Sequence, residues 1–374
     1  MKKLIPLLLA LCLLLCACGA PAEPTEEATT QPPQTTAPTT APTAASTEAP
    51  TTEPPTEPST ESPTEPPVLH RNPLNGQLLD APYVGRAFAV VINNIQPAIP
   101  HRGIGQSDIY YEMFVNHFAT RGLAVFSDVQ QVPSIGSIRS TRFNFTDLAL
   151  AYNMVICHAS AGEGVLNDMY REGVDNLLAD KPIGYRDNVR YKEQGYAWEH
   201  TLFATGPSLW EAAQNSGFNL AVSDKDYGMT FEDVSSAAAG ETANTVQIVF
   251  DHKGHTKETA MIYDPASNSY IYHQFGEDMV DENTGELVTF RNVIVMLTTV
   301  SDVKDHGTIY HVAELYGSGT GYFACDGKVI PILWSHEGEA EPIRFTLEDG
   351  TPLVQGVGST FVAIAPKDSP VNIS

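Results

Sequence analysis

Apolar residues are distributed along the 374-residue chain in three regimes. The first is a short run at residues 5–16, interrupted only by Pro6 and preceded by Lys2 and Lys3. The second, residues 19–68, is almost wholly Pro, Thr, Glu, Ala and Ser. Such a composition cannot bury enough apolar surface to offset the entropy of ordering it, so it predicts a disordered segment. The third regime begins near residue 87, where short apolar runs bounded by turn residues return. Residues 87–93 (AFAVVIN), 109–115 (IYYEMFV), 123–129 (LAVFSDV) and 154–157 predict strands. Residues 142–152 carry Phe143, Asp147, Leu148 and Leu150 and predict an amphipathic helix, capped by Ser140 or Thr141. Residues 165–178 predict a second helix and 201–204 a short strand. Gly206-Pro207 opens a third helix, with proline at a first-turn position, ending near Gly217.

Beyond Asn219 a polar connector leads to a different pattern. From Thr245 the runs TVQIVF, AMIYD, YIYHQF, NVIVMLTTV, TIYHVAEL, GYFACDGKVIPILW and TFVAIAP follow one another, punctuated by Asp-Gly, Asn-Ser and Thr-Gly. This spacing predicts antiparallel strands. The expected class is therefore α+β: an N-terminal mixed α/β sheet domain at 69–220, then a mainly antiparallel β domain at 240–374. The glycine-rich GSGTGY at 317–322 reads as a β-turn and not a phosphate loop, because no strand–loop–helix context surrounds it.

The N-terminal run reads as a secretory signal peptide, residues 1–17, too short for a comfortable membrane span. It ends in Leu15-Cys16-Ala17-Cys18-Gly19, which resembles a bacterial lipobox. Cys18 is then the expected site of acylation, with palmitate-like chains, and the plainer alternative is secretion with cleavage nearby. Each buried methylene would add roughly 0.8 kcal/mol to attachment. Residues 18–68 would form the stalk. At roughly 3.1 Å per residue in polyproline geometry, they could reach on the order of 150 Å. The expected location is the outer face of a Gram-positive cytoplasmic membrane, with the folded part carried into the wall. A tether of no particular length fits the same composition.

Net charge is −24. The first seventy residues hold two lysines and eight glutamates, a net −6 that leaves −18 for the rest. Such acidity argues against nucleic acid as a broad partner, though it allows a local basic pocket. Of five cysteines, only Cys157 and Cys325 lie in the folded part, and their apolar contexts predict buried free thiols. Two cysteines cannot form a zinc site alone. No HExxH or compact His/Asp cluster is present in the sequence, so no metal or cofactor is expected.

Against this acidity, Arg139, Arg142, Arg186 and Arg190 stand out at predicted strand and helix junctions. Guanidinium forks pair bidentately with phosphate or carboxylate. The competing reading is that each arginine bridges a nearby acid, with Glu112, Asp147, Asp187 and Glu199 available. His158 follows a predicted strand and His200 precedes one, and strand ends are where sites form in open sheets. With Glu163 or Asp187 these histidines could serve as acid/base groups, but structural roles are open for them and for His101 and His117. Ser140 and Ser160 lie near Arg139 and His158 without a nucleophile elbow. Cys157 suits a core thiol.

The blocks FAVVINN, QSDIYYE, SIGSIRSTRFNFTDLAL, the region from RDNVR to EHTLFATG, and GYFACDGKVIPILWS with PIRFTLEDG resemble the YerB-like lipoproteins of Gram-positive bacteria. The resemblance runs from about Pro73 to the end, and its central block is the most specific. It implies a lipid-anchored surface location and two consecutive domains, and it names no reaction. One departure is local: where the family pattern has an acidic-Gly-Gly segment before an arginine, this chain has Asn116-His117-Phe118-Ala119-Thr120-Arg121.

Two functions remain open from the sequence. One is a non-catalytic envelope lipoprotein that binds an anionic wall polymer or an envelope protein through an arginine-rich cleft. Its candidate residues are Arg139, Arg142, His158, Arg186, Arg190, His200, Glu112 and Asn93. The alternative is an envelope hydrolase or transferase using His158 or His200 with Glu112 or Glu163.

Overall fold

A computed structural model describes residues 69–116 and 119–374. The expected signal peptide, Cys18, the stalk and His117 lie outside the described residues. In chain order the principal elements are β1 (Phe88–Asn94), β2 (Ile109–Asn116), β3 (Ala119–Phe126), α1 (Phe143–Ala151), β4 (Val155–His158), α2 (Glu163–Glu172), β5 (Asn176–Leu178) and α3 (Gly206–Asn215). There follow β6 (Thr245–His252), β7 (His255–Asp264), β8 (Ser269–Gln274), β9 (Asn292–Thr298), β10 (Val300–Asp305), β11 (Thr308–Ala313), β12 (Gly317–Cys325), β13 (Lys328–His336), β14 (Thr360–Pro366) and β15 (Val371–Ile373). The class is α+β, with the later half almost all strand.

An eleven-stranded sheet runs through the molecule in the order Glu241–Thr242, β13, β12, β9, β14, β2, β3, β1, β4, β5, with Arg344–Thr346 beside β13. Strands from 69–220 and from 240–374 meet inside it. β14 pairs in parallel with β2, through Thr360 opposite Ile109 to Ile364 opposite Met113, and in parallel with β9 on its other side. The two segments expected as consecutive domains thus contribute to one sheet. All seven residues of β1 and all seven of β14 are buried. Burial on both faces explains their continuous apolar sequence, which an alternating strand would not have.

One face of this sheet packs on a six-stranded sheet built from Glu277–Asp278, β8, β7, β6 and β15, with Thr289–Phe290 on β8. Val90, Ile92, Tyr110 and Phe361 there meet Ile248, Phe250, Met261 and Tyr272. The other face carries α1 and α2, where Val91, Tyr111 and Leu123 meet Phe145, Leu148, Val165 and Met169. Each of these large side chains contributes about 1.5–3 kcal/mol by leaving water. Among the described residues, no helix is long and apolar enough to cross a membrane.

Three local expectations are corrected. The helix expected at 165–178 ends at Glu172, because Gly173 takes a left-handed conformation (φ 67°) and turns the chain into edge strand β5. Helix α1 starts at Phe143 with Arg142 as its N-cap, and neither Ser140 nor Thr141 caps it. GSGTGY is the first part of β12, not a turn. A side chain at Gly321 would stand 2.1 Å from the Val295 carbonyl oxygen, so glycine is what lets β12 approach β9. Cys157 and Cys325 are buried free thiols, as expected.

Candidate functional site

β1, β2 and β4 run in the same direction, so their carboxyl ends share one edge of the sheet. β3 starts at that edge. Strand alternation then sorts the polar residues between the two faces. Asn93 and Arg121 are cross-strand partners on the face that also carries Val91 and Leu123. Asn94 and Thr120 are partners on the opposite face, with Ile92. Where β4 ends, residues 137–139 take its place beside β1: the Asn93 amide donates to the Ser137 carbonyl, and the Arg139 amide to that of Val91. The chain then passes through Ser140 and Arg142 into α1. The first turn of this nine-residue helix holds no acidic side chain. Its uncapped amides favour negative charge.

Arg121, Arg139 and Arg142 gather at this point. The Arg121 side chain donates to the Ser140 carbonyl at 2.5 Å, and Arg142 donates to the Thr141 carbonyl at 2.8 Å. Arg142 also lies over the Tyr310 ring, 4.9 Å from its centre. Ser140 Oγ and Ser160 Oγ are 2.6 Å apart. The Nε atoms of Arg139 and Arg142 are buried with no hydrogen-bond partner. Burial, then the charges of Arg142 and Arg139, pushes the Arg121 guanidinium far below its ordinary value. Burial lowers Arg142 to about 10, with Arg139 adding to the effect, and Arg139 is lowered mainly by burial. Burial lowers Arg186 as well, with Arg139 adding to the effect and Asp180 and Glu199 opposing it. Because arginine stays charged in proteins, these shifts describe positive charge held without compensation.

Arg71, Arg86, Arg102, Arg171, Arg190, Arg291 and Arg344 each lie within ion-pair distance of a carboxylate. Arg121, Arg139, Arg142 and Arg186 make no ion pair among the described residues. In a chain of net charge −24 acids are plentiful, yet among the described residues only Glu199, acting on Arg139 and Arg186, and Asp180, acting on Arg186, add a negative field to Arg139 and Arg186. Glu199 is the one acid whose field is felt by Arg139.

The other sequence candidates separate from this group or support it. Arg190 does not join the site. It is 1% exposed, ion-paired to Glu282, hydrogen-bonded to the Pro100 carbonyl and packed between Tyr196 and Phe203. Arg186 sits at the rim, over Trp198, beside a cavity of about 460 Å³ that it lines with Lys181 and Tyr185. His158 lies beneath the cluster, its Nδ1 3.0 Å from the Ser160 carbonyl and its Nε2 3.3 Å from Asn176 Oδ1. Burial lowers its pKa while the contacts with Asn176 and Ser160 act in the opposite sense, and the ring props the Ser160 turn. His200 Nδ1 accepts from the Asn93 side-chain Nδ2 at 2.8 Å, which assigns the Asn93 side chain to holding that ring. Burial lowers His200 as well, and Arg139 adds to the effect. A cavity of about 610 Å³ opens beside His200, with Gln96, Ile99, Tyr196 and Glu277 in its wall.

Glu112 is 0% exposed and lies on the Asn94 side of the sheet, where it receives Lys257, Thr120, Thr259 and Tyr272. Glu163 is exposed at the start of α2, with His306. Neither carboxylate contacts His158 or His200, so the acid/base pairing considered from the sequence is not assembled. Sequence reasoning missed Arg121 and Tyr310 as members of the cluster. Arg121 could have been found by carrying the period-two pattern of β3 back from Leu123. Tyr310 reaches the site from β11, some 170 residues away along the chain, and no local pattern announces it.

Two family models match the chain: the N-terminal domain described as "Protein of unknown function (DUF3048)" at residues 75–219, and the corresponding C-terminal domain at 246–362. The chain is 23% identical over 290 residues to YerB of Bacillus subtilis (strain 168), which carries the name of a lipoprotein, covering 77% of this chain and 84% of that one. The crystal structure of YerB from Bacillus subtilis superposes with a TM-score of 0.68 at 22% identity, over 81% of this chain and 99% of that chain. That likeness establishes a shared fold. With both halves of the family matched in order on one continuous fold, the chain belongs to the YerB-like DUF3048 family.

Proposed function

We propose that this protein is an extracytoplasmic lipoprotein, anchored through Cys18, that binds an anionic group of an envelope component at Arg121, Arg139 and Arg142. The anchor rests on the LCACG sequence and on the name carried by the Bacillus subtilis relative. The stalk at 18–68 then sets the distance between the membrane and the folded part.

One observation carries the binding reading: among the described residues four arginines make no ion pair with an acid, beside seven that do. Unpaired, partly buried guanidinium groups cost stability, and a ligand that supplies the missing negative charge recovers it. The uncapped start of α1 and the two serine hydroxyls add donors of the kind a phosphate oxygen accepts. A phosphate-bearing wall polymer or lipid-linked precursor has this chemistry, and a carboxylate-bearing polymer is the neighbouring possibility.

Thermal melting of the full-length chain against inorganic phosphate, pyrophosphate and citrate tests the reading. Ligand at a hundred times its Kd should stabilise by about 2.7 kcal/mol. The rise should vanish in Arg139→Ala and persist in Arg344→Ala, an exposed arginine already paired with Asp226. Equal rises in both variants would reduce the effect to general salt stabilisation and defeat the proposal.

A further inference from the structure

Two imidazoles and a carboxylate converge in a second cluster. Hairpin β10–β11 places Asp302 directly opposite His311, and the end of β6 brings His252 to them. His252 Nε2 lies 2.8 Å, and His311 Nδ1 2.9 Å, from the same atom, Asp302 Oδ1. The donor atoms of the three residues all lie within 4.8 Å of one another. Both rings are buried, while the Asp302 side chain is 30% exposed. The Lys253 ammonium contacts the other oxygen, Oδ2, from a side chain that is itself 64% exposed. A cavity of about 350 Å³ reaches His252 from solvent, with Asp251, Thr299 and Lys367 in its wall.

We propose that His252 Nε2, His311 Nδ1 and Asp302 Oδ1 form a binding site for a divalent transition metal of the zinc type, with water in the remaining positions. Zinc bonds of about 2.0–2.2 Å to nitrogen and oxygen, in tetrahedral geometry, set ligand atoms roughly 3.3 Å apart. The two nitrogen-to-Oδ1 approaches need to open by about half an ångström, and the hairpin with the end of β6 already holds all three donor atoms within 4.8 Å of one another. Two imidazoles with one carboxylate suit zinc, nickel, copper or cobalt. Calcium and magnesium ask for more oxygen ligands than this cluster has. Lys253 occupies the Asp302 carboxylate in competition with a cation, and its exposure lets it swing clear. Two of the ligands belong to a hairpin whose tip is tied to the start of α2, where the Gly164 amide donates to Asp305 at 3.0 Å. A bound metal would strengthen the tie between this hairpin and β6 that His252 already makes to Asp302. The ligands are fifty and nine residues apart along the chain, which is why the sequence shows no metal motif.

The test uses the full-length chain, stripped by a chelator and titrated with Co²⁺ by visible absorption and with Zn²⁺ by competition. One Co²⁺ per chain is expected, with the absorption of a four- or five-coordinate ion. His252→Ala, His311→Ala and Asp302→Asn should each weaken Zn²⁺ binding tenfold or more, with circular dichroism verifying the fold. Lys253→Ala, an exposed position that leaves the fold intact, should tighten binding several-fold. Absence of binding in both the wild type and Lys253→Ala would overturn the proposal. So would equal binding by the wild type and the His252→Ala/His311→Ala double variant, since the metal would then sit elsewhere.

Discussion

Lys257 Nζ lies 2.5 Å from Glu112 Oε1 in the interior between the two sheets, and neither side chain is more than 4% exposed. Glu112 belongs to β2 of the first family segment and Lys257 to β7 of the second. Thr120, Thr259, Tyr272, Asn94 and Gln274 complete the surrounding hydrogen bonds. A buried pair of this kind contributes little beyond an apolar pair of the same volume, but breaking it leaves an uncompensated charge. Lys257→Met alone should therefore destabilise by about 3–5 kcal/mol, read as a lower midpoint in urea unfolding. The double variant Glu112→Leu/Lys257→Met should recover a large part of that loss. If the double variant loses the sum of the two single losses, the pair is not coupled, and the shared interior is held by its apolar contacts alone.

The arginine cluster should reveal itself as a stability defect that ligand repairs. Arg139 makes no side-chain hydrogen bond to a described residue, and it acts electrostatically on Arg121, Arg142 and Arg186. Replacing it with glutamine removes like-charge repulsion and keeps most of the volume. Arg139→Gln should then be more stable than wild type by about 1 kcal/mol in low salt without added anion, the usual size of gain where function has held stability down. The advantage should shrink as salt screens the repulsion. A loss of stability at low salt would show that Arg139 has a structural partner and would remove the basis of the anion site.

What the sequence made legible follows from the range of the interactions involved. The strands at 88–94, 109–116 and 155–158 are buried on both faces, so apolar runs announced them directly. Arg139, Arg142 and His158 came from the one stretch in which a polar turn is local to a strand and a helix. The parallel joining of β14 to β2 is a contact across some 250 residues, and period-two patterns carry no information about which strands become neighbours. Arg190 and Arg139 look alike in sequence, and their roles differ through a single distant residue, Glu282, which pairs with the first. His252, Asp302 and His311 were invisible for the same reason.

Gly321 tests how closely the strands of the large sheet must approach. A β-carbon there would stand 2.1 Å from the Val295 carbonyl oxygen of the neighbouring strand, and backbone cannot swing aside as a flexible side chain can. Gly321→Ala should cost about 1–3 kcal/mol, the range for overpacking, with larger losses if β12 separates from β9. Gly350→Ala is a useful contrast, because open space surrounds that position and only its left-handed backbone (φ 85°) is strained. Equal melting temperatures for Gly321→Ala and wild type would mean that β12 and β9 are further apart than described.

Asp147, on α1, gives the fold a pH dependence of unusual sign. Burial, reinforced by Glu172, raises its pKa from an ordinary 3.8 to about 7, while Asn144 hydrogen-bonds weakly to it in the opposite sense. An acid whose folded-state value is raised holds its proton more tightly folded than unfolded. Its contribution is fully favourable below the unfolded value and is lost as pH rises through the folded one, so the loss falls between about pH 4 and pH 7. Above that window the folded state carries a poorly solvated carboxylate, at a cost on the order of a few kcal/mol. Asp147→Asn removes the titration. The variant should therefore be more stable than wild type at pH 8, and the difference should disappear by pH 4, in urea midpoints measured at intervals between. Asp302 supplies the control of opposite sign. Lys253, His252 and His311 hold its carboxyl well below the ordinary range, so its contribution is present near neutrality and fades only in strong acid. A difference between Asp147→Asn and wild type that stays constant across pH 4 to 8 would show that Asp147 is ionised throughout, and that the space around it is wetter than its burial implies.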